Sequence, residues 1–149
     1  MAAERRAQEE LLYAWMQMSV CIRGNRILSN LSFNEIMLCG LLYRQQEAGA
    51  PPLTATELGE QMRLLKSQIN HILTTMGKNG LIERTRGTED RRVIHVHLLE
   101  KGRLLYEQEH SRVLDIVQLV QDELGTENAQ QLTALIAKAT AVVNSYSER

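Results

Sequence analysis

The sequence is poor in residues that interrupt, cross-link or stiffen a chain. Its 149 residues include two prolines and two cysteines, and aromatic residues make up only 4%. The apolar fraction of 44% therefore comes mainly from Leu, Ile, Val, Ala and Met, a mixture that favours helices. With charged residues at 23%, this composition is typical of a folded protein and excludes a disordered one. The length fits a single domain over residues 1–149.

Long hydrophobic runs are also absent. No apolar run approaches the roughly 20 residues that a membrane-spanning helix needs. The N-terminal segment is charged where a secretory signal would need an apolar stretch. Its charged residues are Glu4, Arg5, Arg6, Glu9 and Glu10. We therefore expect a cytoplasmic protein that makes no contact with a membrane.

The two cysteines, Cys21 and Cys39, lie inside helical apolar patterns, and neither belongs to a Cys-x-x-Cys unit. Because this spacing supports neither a zinc site nor a disulfide framework, we expect both to pack as small hydrophobic residues. His95 and His97 share one face of a predicted strand, but no third ligand lies nearby in sequence. We therefore predict no metal and no cofactor. A redox-sensing thiol stays open as an alternative.

The net charge is close to zero, at −1, but the charges are unevenly distributed. Residues 63–103 contain nine basic and four acidic residues, a net charge of +5, so the rest of the chain is acidic. A basic block inside an acidic protein is typical of local contact with nucleic acid. An ordinary solvated surface would look the same, so the charge alone does not decide the function.

Apolar residues recur at helical spacing over most of the chain, and Ser/Thr-x-x-Glu capping boxes mark helix starts at Ser32 and Thr54. Gly24 and Asn25 are expected to end the first helix, and Gly80 to close the fourth. β-Branched residues after Gly80 predict two strands. The predicted elements are helices over 7–23, 33–48, 55–62 and 66–78, strands over 81–86 and 93–98, and helices over 103–123 and 127–145.

A short helix, a tight turn and a second helix, followed by a two-stranded hairpin, predict a winged helix-turn-helix within a mainly α fold. The predicted lobe covers residues 53–102, and Leu53 is expected to begin a very short strand. In DNA-binding proteins of this class the second helix of the motif enters the major groove. The segments 5–30 and 103–149 are predicted to be dimerisation helices, because the last helix has more apolar surface than its own small core needs.

Three motifs in this lobe carry a family resemblance. They are Thr56–Met62 in the first motif helix, Lys66–His71 leading to the Gly80-Leu81-Ile82 step, and Asp90-Arg91-Arg92 in the hairpin. Together they resemble the MarR (multiple antibiotic resistance regulator) family of winged helix-turn-helix transcriptional regulators. The resemblance implies a homodimer, usually a repressor, that binds pseudo-palindromic double-stranded DNA and is released by a small-molecule effector.

Two positions depart from the family pattern. Leu65 stands where many relatives have Ser or Thr capping the recognition helix, and Leu99 replaces the Thr that usually follows the second wing strand. Leucine cannot accept an amide hydrogen bond at a helix start. We therefore expect either that Ser67 shifts the start of the helix or that Leu65 packs against the protein.

The outward side of the recognition helix is predicted to contact DNA. Gln68 and Asn70 carry amides that pair with an adenine edge, Ser67 suits bases or phosphates, and Lys66 suits phosphates. The predicted DNA-binding residues of this helix are Lys66, Ser67, Gln68, Asn70, His71 and Thr74.

The wing is predicted to reach the minor groove, because arginine is attracted to its negative potential. Its predicted DNA-binding residues are Arg84, Arg86, Asp90, Arg91 and Arg92. Asp90 would repel DNA, so we expect it to orient the Arg92 guanidinium through a charge-assisted hydrogen bond. The simpler alternative is that Asp90 is only a turn residue.

The resemblance also implies an effector cleft between the dimer helices and the DNA-binding lobe. Its walls are predicted to include Trp15, Met18, Cys21, Met37, Leu41 and Tyr106. Each of these residues is equally suited to core packing. Two other functions stay open at this point, namely a cysteine-based redox-sensing regulator and a winged-helix module for protein contact. An enzyme is not expected, since the sequence has no nucleophile elbow and no phosphate-binding loop.

Overall fold

A computed structural model describes residues 1–24, 27 and 30–148. In the described residues it contains six helices and one two-stranded antiparallel sheet. The elements are α1 (Ala2–Arg23), α2 (Phe33–Glu47), α3 (Ala55–Met62), α4 (Lys66–Lys78), β1 (Ile82–Arg86), β2 (Ile94–Leu98), α5 (Glu100–Leu124) and α6 (Thr126–Ser147). The expected fold class and element order are confirmed.

The chain divides into two compact units, residues 1–111 and residues 112–149. The first unit contains α1 to β2 and the start of α5, and the second contains the end of α5 and all of α6. A single domain over residues 1–149 stays a prediction. Among the described residues, no helix is both long enough and apolar enough to span a membrane.

Helix starts are fixed by the two predicted capping boxes. The Ser32 hydroxyl accepts from the Glu35 N–H at 3.3 Å, and the Glu35 carboxylate accepts from the Ser32 N–H at 2.7 Å. Thr54 and Glu57 repeat this exchange at 3.1 and 2.8 Å. Each box satisfies amides that the first helical turn leaves unpaired.

The first helix begins at Ala2, five residues before the predicted start, and ends at Arg23 with Gly24 in an extended conformation. Asn25, which was also expected to break it, lies outside the described residues. At the end of α4, Gly80 takes the predicted left-handed conformation, with φ 71°. The N–H of the next residue, Leu81, then bonds to the Met76 carbonyl at 3.0 Å, which closes the helix.

The helix α5 begins at Glu100, three residues before the predicted start. The predicted start at residue 103 leaves Gly102 outside the helix, whereas this glycine lies inside the first turn and is buried. A Cβ at Gly102 would lie 2.2 Å from the Leu81 carbonyl oxygen, so only glycine lets α5 approach the chain there. Leu99 directly precedes the helix, and its N–H donates to that same carbonyl at 2.9 Å.

The two strands pair antiparallel, with Ile82 opposite Leu98 and Arg86 opposite Ile94. Each is one residue shorter than predicted. The short strand expected at Leu53 is a single bridge, in which the Leu53 carbonyl accepts from the Val96 N–H at 2.9 Å.

The hydrophobic core of the first unit is formed by α2, α3, α4 and one face of the hairpin. Its fully buried apolar side chains are Leu38, Cys39, Leu42, Leu58, Leu73, Met76, Ile82 and Val96. Burial of such side chains stabilises the fold by about 1.5–3 kcal/mol each. This core sets which side of α4 and of the hairpin faces solvent.

Candidate nucleic-acid interface

A tight turn places α4, the predicted recognition helix, after α3. Arg63 ends α3 in the left-handed conformation, with φ 52°, and the Leu64 N–H donates to the Gly59 carbonyl at 3.0 Å. Gly59 lies under Ile69 of α4, so the two helices pack closely at this point. The turn therefore fixes the direction in which the recognition helix leaves α3.

Three buried residues, Ile69, Leu73 and Met76, form the inner face of α4. Because residues three and four apart share a helix face, Ile72 also packs against the core at the edge of this face, and the polar positions opposite it point outward. The predicted contact residues Lys66, Ser67, Gln68, Asn70 and His71 are exposed, and Thr74 is half-buried at the edge of the same face. The structure thus brings these six side chains to one surface, and their contact with DNA stays a prediction.

Both expectations for Leu65 are wrong. The helix begins at Lys66, so Ser67 does not shift its start, and the Leu65 side chain is 70% exposed, so it does not pack. The first turn is closed in another way. The Gln68 Oε1 atom accepts from the Leu65 N–H at 2.9 Å. This is one of the two hydrogen bonds of a capping box, and it does not need a polar side chain at the N-cap residue.

The wing, formed by β1, β2 and the turn between them, is exposed along its outer side. Arg84, Arg86, Arg91 and Arg92 are all solvent-exposed there. The Arg86 Nη1 atom donates to the Arg91 carbonyl at 3.1 Å, so this guanidinium also braces the turn.

The expected contact between Asp90 and the Arg92 guanidinium is wrong. The Asp90 Oδ1 atom instead accepts from the backbone N–H of Arg92 at 2.9 Å. The physical reason is reach: a carboxylate two residues back meets the main chain of a tight turn before it meets a long side chain. Asp90 therefore shapes the wing turn and leaves the Arg92 guanidinium available to a ligand.

An open groove of about 830 Å³ lies between the start of the recognition helix and the base of the wing turn. Its charged and amide side chains are Glu60, Arg63, Lys66, Asn70 and Arg92. Three of these are basic, so the groove joins the positive charges of helix and wing into one surface. Arg63 was not singled out from the sequence, although it belongs to the basic block.

Two further contacts hold the wing and the recognition helix in place. The Gln46 side chain of α2 pairs with Leu98 of β2, accepting from its N–H at 2.9 Å and donating to its carbonyl at 3.5 Å. The Lys101 Nζ atom donates to the Asn79 carbonyl at 2.8 Å, at the negative end of α4. Sequence reasoning missed both, because contacts that join distant segments leave no local pattern.

The residues predicted for an effector cleft differ in exposure. Trp15, Met18 and Cys21 are exposed on α1, and Met37 is exposed on α2. Leu41 is half-buried, and Tyr106 is buried in the core. The Tyr106 ring lies 5.0 Å from the Tyr43 ring and 5.3 Å from the His110 ring, as centroid distances.

Polar and charged groups lie beside these rings. The Tyr43 hydroxyl donates to Glu107 at 3.4 Å, and Arg103 bridges Glu107 and Glu100. Desolvation, followed by the charges of Glu47 and Glu107, raises the pKa of Tyr43. The hydrogen bond from Arg103 lowers the pKa of Glu100.

The two cysteines are in opposite environments. Cys21 is exposed, whereas Cys39 is buried in the hydrophobic core of the first unit. Desolvation, with a smaller effect of the Glu35 charge, raises the pKa of the Cys39 thiol to about 12. A thiol with that pKa holds almost no thiolate at neutral pH, so Cys39 is a poor redox sensor.

Comparison with known proteins identifies relatives of this architecture. The sequence model of the MarR family matches residues 40–94. The homoprotocatechuate degradative operon repressor of Escherichia coli is 27% identical over 101 residues, which are 68% of either chain. The S. aureus MepR–DNA complex superposes with a TM-score of 0.76 at 19% identity, covering 87% of this chain and 96% of that one.

A second solved structure is the PcaV transcriptional regulator from Streptomyces coelicolor in complex with its natural ligand. It superposes with a TM-score of 0.72 at 17% identity and covers 89% of this chain and 91% of that one. The family match covers the second half of α2, the helix-turn-helix and the wing as far as Ile94. Over residues 40–94 the chain is thus similar to the MarR family of transcriptional regulators, and the solved structures share its winged helix-turn-helix fold.

Proposed function

We propose that this protein is a sequence-specific DNA-binding transcriptional regulator, a repressor of MarR type that a small-molecule effector releases from DNA. The observation that carries the proposal is the continuity of one exposed surface, from the polar face of the recognition helix across the groove to the wing arginines. Its charge suits phosphate contact, and its amides and hydroxyls suit base edges.

The two parts of this surface have different roles in the proposal. The recognition helix enters the major groove with Lys66, Ser67, Gln68, Asn70, His71 and Thr74. The wing arginines, Arg84, Arg86, Arg91 and Arg92, follow the adjacent minor groove, where negative potential is strongest. Asp90 contributes indirectly, through the shape of the turn.

Binding as a homodimer follows from the outer helices. Neither α1 nor α6 contains a buried residue within its own chain. Large apolar side chains of both are exposed, including Trp15 at 52% and Leu135 at 63%. We infer that a second copy covers these surfaces, which gives a two-fold arrangement matched to a pseudo-palindromic operator.

The release step rests on an effector site built from Trp15, Met18, Cys21, Met37, Leu41 and Tyr106. PcaV was solved with its natural ligand, which supports an effector for a protein of the same fold. We infer no catalytic role, since the matched family is one of transcription regulators. We place the protein in the cytoplasm, where a regulator of this kind meets its operator.

The test is a fluorescence anisotropy titration against the promoter upstream of the protein's own gene, with a shuffled duplex as control, over a salt series. We expect tight binding to the promoter alone and an affinity that falls steeply with salt, because phosphate contacts release counterions. Equal, weak binding to both duplexes at every salt concentration would contradict the proposed function.

A further inference from the structure

An apolar side chain stands alone at the start of the recognition helix. Leu65 is the N-cap of α4 and is 70% exposed. It lies between Leu64, which packs against the core, and Lys66, which is exposed. At this exposure Leu65 adds little to the packing of the described residues, and its neighbour Leu64 supplies the contact with the core.

The backbone at Leu65 is held on both sides. Its N–H donates to the Gln68 Oε1 atom at 2.9 Å, and its carbonyl accepts from the Ile69 N–H at 3.0 Å. The turn before it is fixed by the left-handed Arg63 and by the hydrogen bond from Leu64 to Gly59. The side chain is therefore presented from a rigid position, which lowers the entropy cost of a contact there.

The surroundings of Leu65 are basic. Arg63 and Lys66, on either side of it in sequence, line the same groove as Asn70 and Arg92. This surface attracts phosphate-rich DNA, and an exposed leucine gains nothing from phosphates or from the polar edges of bases. The apolar group that the DNA major groove offers is the C5-methyl group of thymine.

We propose that Leu65 packs against the C5-methyl group of a thymine in each half of the operator and so sets a base preference. The inference rests on the proposed function, since it needs α4 in the major groove. N-terminal residues of recognition helices contact base edges in complexes of this class, and Leu65 lies at that end. A Ser or Thr at the cap would offer a hydroxyl there instead, so the chain's departure from its family becomes a specificity determinant.

The experiment removes the methyl group and nothing else. The operator is first selected from a random duplex library, and each thymine of one half-site is then replaced singly by deoxyuridine. Affinities are measured by competition for the wild type, Leu65→Ser and Leu65→Met. Leu65→Ser restores a polar cap, so the fold of the helix is preserved or strengthened. Leu65→Met keeps an apolar side chain of similar volume.

We expect one thymine at which deoxyuridine weakens binding by the wild type about fourfold, the value of one buried methyl group. Leu65→Ser should bind the two duplexes equally, while Leu65→Met keeps most of the difference. Tight operator binding by the wild type with no deoxyuridine effect, or with the same effect in Leu65→Ser, would overturn this inference and leave the proposed function standing. Failure to select any sequence would overturn both.

Discussion

The Gln46 side chain pairs with both backbone groups of Leu98, as one strand pairs with another. Its Oε1 atom accepts from the Leu98 N–H at 2.9 Å, and its Nε2 atom donates to the Leu98 carbonyl at 3.5 Å. Gln46 lies in the last turn of α2, and Leu98 is the last residue of β2. Strand β2 of the wing is therefore attached to α2 as well as to β1.

Replacing Gln46 with Ala should loosen this end of the wing. We expect a loss of about 1 kcal/mol in the free energy of unfolding, since one good hydrogen bond and one weak one disappear. Amide hydrogen exchange at Leu98 should become faster. Gln45→Ala is the matched control, because the Gln45 amide bonds to the Pro51 carbonyl and not to the wing. Unchanged exchange at Leu98 in Gln46→Ala would show that the pairing does not hold the strand.

Two variants of the wing turn distinguish a residue that contacts DNA from one that only shapes the turn. Arg92→Ala should weaken operator binding with little loss of stability, because the side chain is exposed, and should reduce the slope of log affinity against log salt by about one per bound subunit. Asp90→Ala should also weaken binding, through a looser turn, but should leave the salt slope nearly unchanged. Wild-type affinity in Arg92→Ala would contradict the wing assignment.

The sequence predicted what local chemistry controls. The starts of α2 and α3 follow from capping boxes within four residues, and the inner face of α4 follows from apolar spacing. The start of α5 was not predicted, because the glycine at position 102 is required by a contact between distant segments, namely the close approach of α5 to the Leu81 carbonyl. The roles of Asp90 and Gln46 were missed or misjudged because each acts on backbone atoms, whose positions no residue pattern reveals.

Gln68 has a double role that complicates its replacement. Its carbonyl oxygen closes the first turn of α4, while its amide nitrogen is available to a base. Gln68→Ala should therefore lower stability by roughly 0.5–2 kcal/mol, as other lost helix caps do, and also relax the base preference. Gln68→Glu keeps the acceptor for the Leu65 N–H and removes the donor, and its added negative charge should lower the affinity for all duplexes alike. We expect near wild-type melting and relaxed preference in Gln68→Glu, measured by selection from a random library. An unchanged selected sequence would mean that Gln68 reads no base.

The dimer interface can be tested on α6, because no residue of this helix is buried within its own chain. Leu135 and Ile136 are 63% and 52% exposed. Replacing both with Gln should leave helical content unchanged but weaken dimerisation on the order of 100-fold or more, since a two-fold interface loses each contact twice. The mass measured by light scattering should fall to 17.0 kDa, and operator binding should fall with it. Lys138→Gln, on the same helix, is the control, and an intact double-variant dimer would place the interface elsewhere.

The two cysteines should differ sharply in reactivity, which tests the redox alternative. Burial raises the pKa of Cys39 to about 12, so under native conditions a thiol reagent should label Cys21 and leave Cys39 unlabelled until the protein unfolds.

The same burial makes stability depend on pH. In the folded protein the pKa of the Cys39 thiol lies above its ordinary value of 9.0. The stability that the neutral thiol contributes is therefore fully present below pH 9 and is lost as the pH rises towards 12. Wild type should lose stability relative to Cys39→Ala over that range.

The exposed Cys21 is tested with peroxide. If peroxide changed the operator affinity of the wild type but not that of Cys21→Ser, the regulator would be a redox sensor, and the proposal of a small-molecule effector would be contradicted.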